Sequence, residues 1–255
     1  MPGTPAPENG RLDAITTRWS LIRQAHSDGK TRDAETARGV LVLRYAKAVR
    51  GYVGGMLKNR EDADELAQEV VVRLLKGDFA GADPTRGRFR DLLKTAARNM
   101  VRNHWEKQSR RRPVDADLGT VAESTAATDP WLASWQKTVL DHVWAALREV
   151  EKANPKNPAH TLMKLRTDFP NDSSEQLADK LGKKLGATIR ADTCRQILRR
   201  GRLKFAELLI EEVTLGLDDP NPGRIEEELA ALELLDYVRD FLPADWKQRG
   251  ELMKE

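Results

Sequence analysis

The sequence predicts an all-α chain: a four-helix N-terminal domain, a linker, a C-terminal helix-turn-helix domain and an acidic helical extension. Three observations carry that prediction. Apolar residues recur at helical spacing along most of the 255 residues, while alternating strand patterns are nearly absent. Residues 113–129 are rich in Ala, Thr and Asp and lack a period, as a linker does. Charge is blocked: residues 86–112 hold ten Lys/Arg against two Asp/Glu, 179–206 nine against two, and 211–255 five against thirteen. The expected divisions are a disordered tail 1–13, a first domain 14–112, the linker 113–129, a second domain 130–213 and the extension 214–255.

In the first domain a helix is expected over 17–26 and a second over 33–57. Leu41, Tyr45, Ala48, Val49, Tyr52, Val53 and Met56 share one face of the second, and Gly54-Gly55 suggests fraying near its end. The third, 61–76, places Ala63, Leu66, Ala67, Val70, Val71, Leu74 and Leu75 on a single apolar stripe. Gly77-Asp78 ends it, and a loop 78–87 with Pro84 comes next. The fourth, 88–109, turns Phe89, Leu92, Leu93, Ala96, Ala97, Met100, Val101 and Trp105 inward. Arg90, Lys94, Arg98 and Arg102 repeat every four residues on another face, beside Thr95, Asn99 and Asn103.

In the second domain Asp129-Pro130 supplies an N-cap and a first-turn proline for a helix over 131–151. Its inward stripe is Leu132, Trp135, Val139, His142, Val143, Ala146 and Val150, so His142 reads as a packed histidine rather than a ligand. A short helix over 159–168 precedes one capped by Ser173 or Ser174, which carries Leu177, Ala178, Leu181 and, at its end, Leu185, and stops at Gly186. Asp192 is expected to cap the last long helix, with Cys194, Ile197, Leu198, Gly201, Phe205, Leu208 and Leu209 inward. Beyond a break at Asp218-Asp219-Pro220, one amphipathic helix is expected over 222–242.

Composition narrows the function. No apolar run approaches the roughly 18–20 residues of a membrane span, and residues 1–10 lack a basic-then-apolar signal pattern. A cytoplasmic chain is therefore expected. One cysteine, Cys194, rules out an internal disulfide and a cysteine cage, and the four histidines are scattered, so neither metal nor cofactor is expected. No nucleophile–base pair or phosphate-cradling loop is visible, so no enzyme is expected. Gly51-Tyr-Val-Gly-Gly follows a helical pattern, not the strand a dinucleotide motif needs. The two basic blocks suggest polyanion binding at two places.

Residues 174–209 have helix–turn–helix logic. A short capped helix braces a second helix that is cationic on its exposed face from the first turn. Such a helix can enter a major groove about 12 Å wide and offer Arg and Gln to guanine and adenine edges. A solvated basic helix is the plainer alternative, and charge density alone does not choose between them. Residues 86–112 offer a basic stripe for phosphates with a Thr/Asn row beside it. Phe89 reads as core, whereas Phe79 could serve either a core or a base-stacking surface. The acidic face Asp62, Asp64, Glu65, Gln68 and Glu69 would by itself be a solvated face.

Two stretches carry a family resemblance. Asp62-Ala-Asp-Glu-Leu-Ala-Gln-Glu-Val-Val-Val-Arg-Leu-Leu and Gly87-Arg-Phe-Arg-Asp-Leu-Leu-Lys-Thr-Ala-Ala-Arg-Asn-Met-Val-Arg-Asn-His-Trp, ending in Arg110-Arg-Arg, resemble region 2 of the extracytoplasmic-function (ECF) sigma factors. Ser173-Ser-Glu-Gln-Leu-Ala-Asp-Lys-Leu-Gly with Thr193-Cys-Arg-Gln-Ile-Leu-Arg-Arg-Gly-Arg-Leu-Lys-Phe-Ala-Glu-Leu-Leu resembles their region 4. The resemblance implies core RNA polymerase as a partner, through its β′ coiled coil and β flap, and promoter DNA as the other. An anti-sigma or other regulator is a further implied partner. It implies polymerase contacts at Asp62, Asp64, Glu65, Gln68, Glu69 and Arg73. It implies −10 contacts at Phe79, Arg86, Arg88, Arg90, Lys94, Arg98, Asn99, Arg102 and Asn103. It implies −35 contacts at Thr193, Arg195, Gln196, Arg199, Arg200 and Arg202. Residues 183–192 make a longer turn than the family's, Asn103 stands where the family often has an acid, and many members lack the acidic extension.

The rival reading is a stand-alone helix–turn–helix regulator that binds duplex DNA without polymerase; such a protein has no need of the acidic face. A helical adaptor that binds only proteins is disfavoured by the two basic blocks. For the extension, two roles are open within the chain: masking the reading helix, with Glu226, Glu227, Glu228 and Asp236 near Arg199, Arg200 or Arg202, or completing a core. A third is to receive a regulator.

Overall fold

A computed structural model describes residues 24–25, 31–79, 89–111, 129–217 and 221–242. Among them the fold is all-α, without a strand. The expected tail 1–13, most of helix 17–26, most of the loop 78–87 and the linker up to residue 128 lie outside the described residues.

Among the described residues the N-terminal unit holds α1 (Arg32–Met56), α2 (Arg60–Lys76) and α3 (Phe89–Arg111). α1 and α2 begin or end on residues suited to the task. Thr31 caps α1 by accepting from the Ala34 amide at 3.2 Å, and Asn59 caps α2 by accepting from Glu61 at 3.0 Å. Gly77 ends α2 in the left-handed region, φ 91°, which costs a glycine nothing. α1 remains helical through Gly54-Gly55 to Met56, so the expected fraying is not seen. Tyr45 lies at the centre of this unit, edge-on to Phe89 at 5.1 Å. On α2, Val71 is only partly buried and Leu75 is 37% exposed, so the buried stripe is narrower than expected; Val72, off that stripe, is 42% exposed.

The C-terminal unit is α4 (Pro130–Ala153), α5 (Ala159–Asp168), α6 (Ser174–Leu185) and α7 (Ala191–Thr214). Asp129 caps α4, with Pro130 in its first turn. Ser173 and Gln176 form a reciprocal capping box on α6. Gly186 ends α6 at φ 65°, and Leu185 just before it is 45% exposed rather than inward, since it lies past the turn that packs on α7. A Cβ on Gly182 would lie 2.4 Å from the Ala187 carbonyl oxygen, so glycine there lets the chain fold back towards α7. Asp192 is not the cap of α7: Arg190 holds that position without a side-chain bond, and Asp192 sits one residue inside the helix, paired with Arg195. Leu147, Leu162, Leu165, Leu177, Leu181, Cys194, Ile197 and Leu198 close the core of this unit. Each large apolar side chain buried there contributes about 1.5–3 kcal/mol.

A larger core crosses from one unit to the other. The first half of α4 lies on α1, with Trp131 5.1 Å from Tyr52 and Trp135 5.3 Å from Tyr45. Ser134 donates to the Ala48 carbonyl at 2.8 Å, and a Cβ on Gly51 would stand 2.3 Å from the Ser134 hydroxyl. Gly51 thus allows close helix packing. His142 is half-buried at the edge of this contact. Its Nδ1 is 3.1 Å from Glu212 of α7, which also pairs with Arg44 of α1 at 3.2 Å. Leu147, absent from the expected stripe of α4, is fully buried, and Leu132, Ala146 and Val150 are only partly so.

The extension joins the same core. It is not the single helix expected over 222–242. α8 (Pro222–Ala231), capped by Asn221, gives way to a turn, a short α9 (Leu235–Val238) and a 3-10 turn over Arg239–Phe241. Glu233 carries the break at φ 53°. A continuous helix would set Leu232 and Leu234 about 200° apart, since each residue turns roughly 100°. The break lets Ile225, Leu229, Leu232, Leu234, Leu235 and Val238 all reach the core.

Candidate nucleic-acid interface

Three faces carry the side chains expected to act. On α2, Glu65, Gln68 and Glu69 are exposed, and Arg73 pairs with Glu69 at 2.9 Å. Asp62 and Asp64 are half-buried and held by neighbours. Gln108 of α3 donates to Asp62 at 3.1 Å with His104 at 3.4 Å, and Arg50 of α1 is 3.2 Å from Asp64. The open acidic surface is therefore centred on Glu65, Gln68 and Glu69, with Val72 and Leu75 exposed on the same helix. Those two apolar side chains were missed as surface residues. The signal was the doublets Val71-Val72 and Leu74-Leu75, more apolar width than one stripe can bury.

On α3 the basic row is split. Arg98, Asn99, Arg102 and Asn103 are exposed, and Arg102 approaches Glu106 only to 3.9 Å. Arg90 is largely buried and ion-paired with Glu228 of α8, and Lys94 is paired with Asp129. Arg86 and Arg88 lie outside the described residues. Phe79 is buried, edge-on to Phe89 at 6.1 Å, so in this conformation its ring belongs to the core and offers no open stacking face.

On α7, Thr193, Arg195, Gln196, Arg199 and Arg200 are exposed in the first turns. Arg195 also approaches Glu175 of α6 to 3.8 Å. Arg202 is half-buried beneath the extension, its guanidinium carbon 5.3 Å from the Phe241 ring centroid. Glu226, Glu227, Glu228 and Asp236 do not gather around Arg199, Arg200 or Arg202. Glu228 reaches Arg90, and Asp236 pairs with Arg239 at 3.1 Å. Lys183, Lys184 and Arg190, exposed in and beside the long turn before α7, add cations that sequence reasoning counted in the basic block but not in the site.

Cys194 faces inward with no exposed surface, and burial pushes its thiol pKa up against the pull of Arg166 and Arg195. Among the described residues no three His, Cys, Asp or Glu side chains group as a metal site, and no helix is long and apolar enough to cross a membrane.

The electrostatics set acidic and basic surfaces on adjoining helices. α2 presents carboxylates, while α3 presents guanidinium and amide groups. No curated protein and no solved structure matches this chain. Residues 41–111 do match a family model, that of sigma-70 region 2. The match starts within α1 and runs through α2 to the last residue of α3. In the stretch that holds both the acidic and the basic helix, the chain is similar to sigma-70 region 2.

Proposed function

We propose that this chain is a sigma factor of the ECF type, which binds core RNA polymerase and directs it to promoters. The observation that carries the reading is the region 2 match over 41–111, a segment whose α2 offers open carboxylates and whose α3 offers open cations. Glu65, Gln68, Glu69 and Arg73, with Asp62 and Asp64 behind them, meet the basic coiled coil of β′. Arg98, Asn99, Arg102 and Asn103 contact the −10 element. Arg90, Lys94 and Phe79 join them when their present partners release them, and Arg86 and Arg88 are further −10 contacts. Residues 130–213 act as region 4, near the β flap, with Thr193, Arg195, Gln196, Arg199, Arg200 and Arg202 turned to the −35 element. The chain performs no covalent step: polymerase melts the promoter and the chain traps the opened strand. It works in the cytoplasm.

The test is to add the full chain to core polymerase and map transcription starts on the organism's own DNA. Initiation at a defined site supports the reading. DNA binding without any effect on polymerase favours the stand-alone helix–turn–helix regulator instead.

A further inference from the structure

The extension touches both basic helices, and a role for it there rests on reading those helices as DNA surfaces. α8 is seated by Ile225 and Leu229, both buried. From that seat Glu228 ion-pairs with Arg90 at the start of α3, with 11% of each side chain exposed. At the far end Phe241 covers Arg202 of α7 at 5.3 Å. Between them Gln136 of α4 donates to the Leu232 carbonyl at 2.6 Å and pins the connecting turn. A carboxylate on an arginine fork is the chemistry that a phosphate oxygen also brings. At such burial Arg90 cannot reach a phosphate while Glu228 holds it.

We propose that the C-terminal extension is an internal occupant of the DNA surfaces: Glu228 takes Arg90, Phe241 takes Arg202, and DNA must displace the extension to reach both. The coupling is reciprocal. Whatever seats the extension weakens DNA binding, and DNA loosens the extension by the same factor. The apolar contacts of α8 and α9 supply the holding force, and the two arginines make it sensitive to DNA.

The experiment uses the full chain and a mixed-sequence duplex oligonucleotide. Glu228→Lys sets two cations against each other. Glu227→Lys makes the same charge change at an exposed neighbour and is the control. Glu228→Lys should bind more tightly than Glu227→Lys, about eight-fold at 0.1 M salt for each arginine released, with the log–log salt slope steeper by about 0.9 per arginine. The swap Glu228→Lys with Arg90→Glu re-forms the pair and should lose that gain. Equal binding and slope for the two Lys variants overturns the proposal. If Glu228→Lys does not fold, hydrogen exchange on the wild-type chain decides. Amides of α8 should lose protection as duplex is added, and unchanged protection at saturating duplex overturns the proposal. DNA binding without release of α8 sinks only the occupant role. No DNA binding by any variant, with or without core polymerase, sinks the DNA reading and this proposal with it.

Discussion

Cys194 and His160 show how burial sets chemistry one residue at a time. Cys194 lies on the inner face of α7, and its desolvated thiol resists ionising although Arg166 and Arg195 are near. In the native chain maleimide should label it far more slowly than in urea; equal rates would refute the packed role. Its inward position was legible because it shares a 3.6-residue face with Ile197, Leu198 and Gly201. His160 was not legible in this way. It stands edge-on to Trp144 at 5.9 Å, its Nε2 is buried without a hydrogen-bond partner among the described residues, and burial lowers its pKa below the ordinary 6.5. A depressed histidine pKa means that the unfolded chain takes up the proton first. The folded state is therefore not penalised above about pH 6.5 and loses stability as pH falls through the folded pKa. Melting temperature should drop over that interval, and His160→Phe should lose that part of the drop. An identical pH profile for the variant would remove His160 as its source.

The helices divide into those whose ends are written locally and those placed by distant partners. Asp129 and Ser173 cap their helices through neighbours three residues away or fewer and were legible in the sequence; Thr31 and Asn59 cap by the same local geometry but were not read as caps. The break at Glu233 and the narrow stripe of α2 depend on where the core lies, which no window of sequence contains. Arg90 and Lys94 show the same limit: their period was legible, but the carboxylates that hold them are 138 and 35 residues away. For α2, Glu65→Lys with Glu69→Lys should abolish retention of core polymerase. Folding stability should change by no more than about 0.5 kcal/mol per site, since both side chains are exposed. Asp62 is left alone because it ties α2 to α3 through Gln108. Retention of polymerase by a folded double variant would defeat the proposed docking face. α3 and α7 should fail differently. Arg98→Ala with Arg102→Ala should flatten the salt slope by about 0.9 per residue. Changes at Arg195, Gln196 or Arg199 should alter the preferred upstream sequence by about 1–3 kcal/mol per good bidentate contact. Selection from randomised duplex measures both; an unchanged preference in the α7 variants would move the reading surface elsewhere.

At the scale of the molecule, α4 belongs to two cores at once. Its second half closes the core it shares with α5, α6 and α7 through Leu147, and its first half packs Trp131 and Trp135 against α1. The docking of α4 on α1 depends on a glycine whose reason appears only in three dimensions. Gly51 meets Ser134 so closely that a methyl group would stand 2.3 Å from the hydroxyl. That geometry allows a test of the docked arrangement free of any assumption about DNA. On an isolated exposed helix, Gly→Ala in the interior stabilises by about 0.8–1.0 kcal/mol. Here the methyl group must also push Ser134 off the Ala48 carbonyl, which costs about 0.5–1.5 kcal/mol for the lost hydrogen bond, and overpacking adds to it. In the wild-type background the two effects should cancel or leave a net loss. In a Ser134→Ala background the obstruction is gone, and Gly51→Ala should recover its helix-propensity gain. The double-mutant cycle should therefore show a coupling of about 1–2 kcal/mol by urea unfolding, well above the few tenths expected of sites that do not touch. If Gly51→Ala stabilises the chain equally in both backgrounds, α4 does not rest on α1 in solution, and the shared core that seats the extension over Arg90 would have to be abandoned.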